Sequence, residues 1–387
     1  MVHTTSASSR RTPGVYDGNQ AMTAPAYLEE MKDRFDEDPH GANLEWFRNA
    51  RFGLFLTWGL HAAYGGGCRY FVRHDISVAD YKRTMAQFTA ERFDADFITD
   101  LALEAQMRYV TFVTRHQDSF SLWDSRTDAF SADYCSTAAA AKRDFVAELA
   151  EQCAKKGLAL FLYYSYAMDW LHPWYPTVDS GILWNRRRID GYHRWQKDED
   201  TRRYIDFAHG QIAELLTGYG PIAGMWFDPV ACIYQRPDLF PVEETYALVR
   251  DLQPGCLIAF KNGATGTEDF IAPEGEIYDR PIKRWIDEGS APIEYRRKVR
   301  LFWDDMVTSG CRELCSKMES NGWGYVADTE RVDADEVMHR LADAAGRGFN
   351  LLLNTGPLFD GSIHPDAVAT LKEVGRRIQA DGWPGGN

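Results

Sequence analysis

The chain has 387 residues, 45% hydrophobic and 26% charged, the profile of an ordinary globular protein with room for a large core. Its formal charge of -14 argues against nucleic acid or an anionic membrane surface as the main partner. No apolar run approaches a membrane span, and the polar opening MVHTTSASSRRTPGVYDGNQ lacks the apolar centre of a secretory signal.

Residues 1–40 read as a flexible segment followed by a lead-in helix. From about residue 45 one theme repeats: a short apolar or β-branched run ends on polar residues, and an amphipathic helix follows. RFGLFLTWG (51–59) ends on Thr57 and Trp58. YVTFVTRHQD (109–118) ends on Arg115, His116, Gln117 and Asp118. KRDFVAELAEQCAKKGL (142–158) places Phe145, Leu149 and Cys153 on one helical face, with Gly157 as its C-cap. LALFLYYS (158–165) delivers Tyr163, Tyr164 and Ser165. The basic run Arg186-Arg187-Arg188 reads as a solvated loop or helix face. TRRYIDFAHGQIAELLTGYG is helical, with Ile205, Ile212 and Leu216 on one face. GMWFD (224–228) ends on Trp226 and Asp228. VEETYALVRDLQPG stops at Pro254-Gly255, and CLIAFKN (256–262) ends on Lys261 and Asn262. Weaker strand signals lie near Glu276–Tyr278 and Trp323–Val326. VDADEVMHRLADAAGRG begins on an Asp cap, FNLLLNTGP (349–357) carries Asn354, and PDAVATLKEVGRRIQADG precedes a short tail, 383–387.

Alternating strand and helix means a parallel sheet, and six clear units plus two weak ones predict a (β/α)8 barrel over 41–382. In such a barrel the C-terminal ends of the strands form the active-site floor, so the polar endings form one pocket with aromatic walls.

The seven cysteines are scattered, with no CxxC pair and no Cys/His zinc spacing, which suggests reduced thiols in a cytoplasm. No phosphate loop, HExxH, GxSxG or GxGxxG is present, and neither metal nor cofactor is expected. Carboxylate chemistry is left. Asp228 would be a glycosidase nucleophile, kept ionised by His116 or Arg115, or else a helix N-cap before Pro229. Its partner acid would be Glu274 or Glu276 in TEDFIAPEGE, or Glu313 in CRELCSKM.

Five stretches in order carry a resemblance: EWFRNARFGLFLTWGLHAAYGGG, YVTFVTRHQDSFSLWDS, KKGLALFLYYSYAMDW, TGYGPIAGMWFDP and WGY…GRGFNLLLNTGPLFDGSI. Over about 44–382 the chain resembles the α-L-fucosidase family of retaining barrel glycosidases. The resemblance implies Asp228 as nucleophile, Trp226 as a pocket wall, His116 as the first of two sugar-binding histidines and Tyr163 beside the nucleophile. It puts the acid/base near Glu274, with Glu313 the other candidate. Thr57 stands where the family has a histidine before Trp58, Gln117 at the second histidine, and Ser119 at a glycine. Arg69-Tyr70 is the nearest match to the family's Glu-Trp, and Lys261 or Asn262 stands where an arginine is expected. The implied sugar-binding set is therefore Thr57, Trp58, Arg69, Tyr70, His116, Gln117, Tyr163, Trp226, Asn262 and Glu313.

A glycoside hydrolase with an altered sugar pocket is expected, without the C-terminal β-sandwich of many relatives, acting inside the cell on a small-molecule glycoside. A transglycosylase or biosynthetic enzyme, and a sugar-binding protein without activity, are the alternatives. The oligomeric state is left open.

Overall fold

The computed structural model describes residues 23–182, 188–274, 282–308 and 310–385. The expectations for the first twenty residues, for Arg186 and Arg187, for a strand at 276–278 and for Glu276 lie outside them.

The six strong apolar runs form strands buried along their whole length, as a parallel sheet covered by helices requires. They are β1 (Phe52–Leu56), β2 (Tyr109–Arg115), β3 (Ala159–Ser165), β4 (Gly224–Asp228), β5 (Leu257–Ala259) and β7 (Asn350–Thr355). A further strand, β6 (Glu313–Lys317), is the most polar and the least buried of the seven. All pairings are parallel, in the order β5-β4-β3-β2-β1-β7-β6. The stretch expected to form a strand at 323–326 is instead a loop, in which Val326 makes a single antiparallel bridge to Gly66.

The eighth stave is an irregular segment, 269–274, between β5 and β6. Its Asp269 and Ala272 amides donate to Ile258 and Lys261 carbonyls (both 2.8 Å), and Glu313 and Cys315 amides donate to its Ile271 and Pro273 carbonyls (both 2.9 Å). Parallel bridges Ile271–Arg312 and Glu274–Cys315 fix its direction. Pro273 offers no N–H, so the hydrogen-bond ladder there is interrupted. The chain is thus a (β/α)8 barrel.

Every strand but β5 is followed by a helix. A lead-in helix, α1 (Pro39–Arg48), precedes β1. Then come α2 (Ala95–Glu104), α3 (Phe145–Lys156), α4 (Thr201–Gly218), α5 (Val242–Leu252), α6 (Ile293–Thr308), α7 (Ala334–Gly346) and α8 (Pro365–Asp381). Asp94, Asp144 and Asp333 accept backbone N–H groups as N-caps of α2, α3 and α7, and Gly157 closes α3 in the left-handed region (φ 68°).

The barrel interior is layered. Phe47 of α1 plugs the bottom, its ring 4.5 to 5.5 Å from Phe270, Phe161 and Tyr109. Above them Glu313 joins two layers, and above it Phe55, Tyr163 and Trp226 form the cavity floor. The seam between the chain's first and last strands is held by Asn350. Its Oδ1 accepts the Arg51 amide (2.7 Å) and its Nδ2 donates to the Phe47 carbonyl (2.6 Å).

Candidate active site

Strand alternation decides what faces the barrel axis. Phe55 and Thr57 point inwards from β1, Tyr163 from β3 and Trp226 from β4, each beside its neighbour in register. Asp228 ends β4 opposite Ser165 and keeps only 6% of its surface exposed. It is not a helix cap: the helical turn Val230–Gln235 has Pro229 at its N-cap and no side-chain cap.

Asp228 lies on a cavity of about 340 Å³ at the C-terminal ends of the strands. Thr57, Arg69, His116, Gln117, Tyr163, Trp226, Asn262 and Glu274 line it too, so the structure brings most of the anticipated set together. Asp228 Oδ2 accepts the Tyr163 hydroxyl (2.8 Å), and that hydroxyl lies 3.2 Å from His116 Nε2. Because the phenol proton goes to the carboxylate, His116 Nε2–H must donate to the phenol oxygen. Burial, then the charges of His61, Lys261, Arg69 and Arg115, hold His116 well below its usual range, so it is a neutral imidazole. Burial and the Asp228 charge push the Tyr163 phenol far up, so it keeps its proton. The two rings lie parallel, 5.3 Å apart.

The other oxygen, Asp228 Oδ1, has no hydrogen bond among the described residues and faces the Lys261 ammonium at 3.4 Å. The same ammonium contacts Glu274 Oε1. Lys261 therefore joins the two carboxylates and lies 5.7 Å from the centre of the Trp226 ring. Gln117 Oε1, Asn262 Oδ1 and His116 Nδ1 are buried and make no hydrogen bond among the described residues.

Three anticipated residues lie elsewhere. Trp58 points away from the axis, as the residue after Thr57 must. It packs on Phe88, Phe93 and Phe145 and donates its N–H to the Leu358 carbonyl (2.9 Å). Tyr70 opens a short helix, stacked between Tyr64 and His74 at 4.4 and 4.2 Å. Glu313 is wholly buried below the floor, where Tyr109 Oη (2.7 Å) and Trp226 Nε1 (3.0 Å) donate to its two oxygens. Burial pushes its carboxyl up to about 7 against the pull of those donors. It cannot reach a substrate in the cavity. Arg115, a suggested partner of Asp228, points outwards into a fully buried ion pair with Asp169.

Sequence reasoning overlooked Phe55, Cys68, Arg284, Trp285, Cys315 and Trp323 as cavity residues. Lys261, expected in the pocket from its place at a strand end, does line it, but its contact with both carboxylates was not foreseen. Arg284 and Trp285 sit on the helical segment Ile282–Asp287, which carries no motif.

The family profile described as Alpha-L-fucosidase matches residues 20–382. Tissue alpha-L-fucosidase from Bos taurus is 24% identical over 404 residues, covering 96% of this chain and 74% of that protein. The human tissue enzyme is 24% identical over 371 residues, covering 87% and 68%. Alpha-L-fucosidase isoenzyme 1 from Paenibacillus thiaminolyticus superposes with TM-score 0.69 at 27% identity, over 89% of this chain and 77% of that one. The Lactobacillus casei alpha-L-fucosidase in complex with its alpha-L-fucose product shares the fold, with TM-score 0.68 at 24% identity over 87% and 98%. A profile match across nearly the whole chain, on a barrel with two carboxylates at its strand ends, leaves one conclusion: the chain belongs to the alpha-L-fucosidase family of glycosidases.

Proposed function

We propose that the protein is a retaining glycosidase, with Asp228 as nucleophile and Glu274 as acid/base, whose substrate is not a simple α-L-fucoside. The observation that carries the reading is the pair of carboxylates meeting at the Lys261 ammonium. Their nearest oxygens can be no farther apart than those two contacts laid end to end. That is short of the ~6.5 Å at which an inverting pair begins to admit a water, and fits the close spacing of a retaining pair.

Asp228 is oriented for attack. Oδ2 is tied to Tyr163, so Oδ1 is the oxygen that bonds to the anomeric carbon. As that bond forms, the glycosidic C–O bond breaks and the leaving oxygen takes a proton from the Glu274 carboxyl. Water, giving its proton back to Glu274, then releases the sugar from Asp228. Trp226, Tyr163 and Phe55 supply the apolar floor on which a sugar face can lie.

The altered specificity rests on Thr57, Gln117 and Arg69, which face the same cavity; the family resemblance puts histidines at the first two positions and has Arg69-Tyr70 as the nearest match to a Glu-Trp pair. A lost hydrogen bond to a buried sugar hydroxyl costs about 1–3 kcal/mol. Seven free, buried thiols suit a reducing compartment.

The test is turnover of a panel of aryl glycosides, α-L-fucoside among them, by the wild type and Asp228→Asn. Turnover of the best substrate should fall roughly a thousandfold or more in the variant, and a slow substrate should leave a glycosyl adduct on Asp228 in the wild type. Undiminished turnover by Asp228→Asn would overturn the mechanism.

A further inference from the structure

Glu313 is a costly residue to find in a barrel core. It sits on β6, wholly buried beneath the cavity floor. A carboxyl taken out of water costs free energy that an apolar side chain of the same size does not. What it does there is accept two donors. Tyr109 Oη donates to Oε2 (2.7 Å) and Trp226 Nε1 to Oε1 (3.0 Å). The Tyr109 ring belongs to the layer below, against Phe47 and Phe161. The Trp226 ring belongs to the floor and lines the cavity.

We propose that Glu313 is a positioning residue of the reaction, acting through the Trp226 N–H to hold the indole face under the reacting sugar carbon. The inference rests on the glycosidase reading above and adds to it a residue that touches no substrate.

Three observations carry it. Glu313 Oε1 is the acceptor of the indole N–H among the described residues. Stacking on Tyr163, 5.4 Å away, sets the plane of the indole but not which edge points down; the bond to Glu313 decides the edge. A buried N–H left without an acceptor is costly enough to turn its ring.

The face so held is also where positive charge lies. The Lys261 ammonium, in contact with Asp228 and Glu274, is 5.7 Å from the indole centre. A sugar carbon that becomes cationic between the same two carboxylates meets the same negative face. A carboxylate acceptor polarises the indole N–H and strengthens that face.

Finally, Trp226 is tied to the nucleophile. It stands two residues before Asp228 on β4, and its stacking partner Tyr163 holds Asp228 Oδ2. A turned indole therefore disturbs both the floor and the attacking carboxylate.

The experiment measures kcat and KM for the best glycoside of the panel above with Glu313→Met, Glu313→Gln, Trp226→Phe and the Glu313→Met/Trp226→Phe pair. Glu313→Met orphans the indole N–H and should lower kcat roughly 10- to 100-fold, with a smaller change in KM, because the positive charge exists only in the transition state. Glu313→Gln keeps an acceptor oxygen for the indole and should recover most of the loss. In Trp226→Phe there is no N–H to hold, so adding Glu313→Met should change kcat/KM by less than about twofold. Tyr109→Phe removes the other donor and should shift the urea midpoint while leaving kcat/KM close to the wild type. If Glu313→Met does not fold, the same cycle is run in Tyr109→Phe, where only one donor is orphaned. An equal loss from Glu313→Met with and without Trp226→Phe, or no recovery in Glu313→Gln, overturns the inference and leaves Glu313 a support of the fold. The glycosidase reading then stands as long as turnover depends on Asp228. If the wild type cleaves no glycoside, or Asp228→Asn keeps full turnover, that reading falls and the role of Glu313 with it.

Discussion

At the residue scale, Glu313 has the most consequential environment in the barrel. It is fully buried, and its carboxyl titrates at about 7 instead of 4.5. The folded state therefore holds this proton more tightly than the open chain does. The stability this provides is complete below about pH 4.5 and is lost as the pH rises through about 7, some 3 kcal/mol in all at about 1.4 kcal/mol per pH unit. Glu313→Gln has no such titration. The unfolding free energy of the wild type minus that of the variant should thus fall by about 3 kcal/mol between pH 4.5 and 7.5, as read from urea midpoints. Glu319, also pushed up to about 7 by burial, drifts alike in both proteins and cancels. A difference that stays flat with pH would show that Glu313 does not titrate there. Tyr163→Phe tests the oriented nucleophile: loss of a charge-assisted bond worth about 1.5–3 kcal/mol should lower kcat/KM about 10- to 100-fold. Position along a strand made Thr57, His116, Tyr163, Trp226 and Asp228 legible as neighbours. Trp58 was misread because it lies one residue out of phase. Glu313 was misread because a buried acid and a catalytic acid look alike until depth is known.

Among the elements, the segment 269–274 closes the barrel with little regular pairing of its own, so a side chain assists. Asp269 Oδ2 accepts the Ile258 amide (2.7 Å) and its Oδ1 bonds the His40 ring (2.8 Å). Asp269→Ala leaves a buried strand amide unpaired, which should cost about 1–3 kcal/mol in chemical denaturation. Glu274 ends the same segment, so turnover should suffer as well. An unchanged denaturation midpoint would mean the stave is held without Asp269. Six strands were legible because each is built on a short apolar or β-branched run. β6 and this segment were not. β6 carries Glu313, Ser316 and Lys317 in five residues, and the closing segment has Pro273 where a ladder would need a donor.

The whole molecule keeps its seven cysteines free and buried, with the Cys68, Cys153 and Cys311 thiols each pushed up to about 12 by burial. A colorimetric thiol reagent near pH 8 should therefore titrate almost none of them in the native protein and all seven after denaturation. Rapid reaction of several native thiols would contradict the packing described. The seam at Asn350 has a consequence for how the chain is made. β1 leaves the ribosome long before one of its two neighbours, β7, and Asn350 reaches back 299 residues to the Arg51 amide. Until β7 has emerged, β1 has an open edge and Phe47 plugs an unfinished ring. A chain truncated before Asn350 keeps Asp228, Lys261 and Glu274 but has no last stave to close the circle, and its bare strand edge is available for pairing between nascent copies.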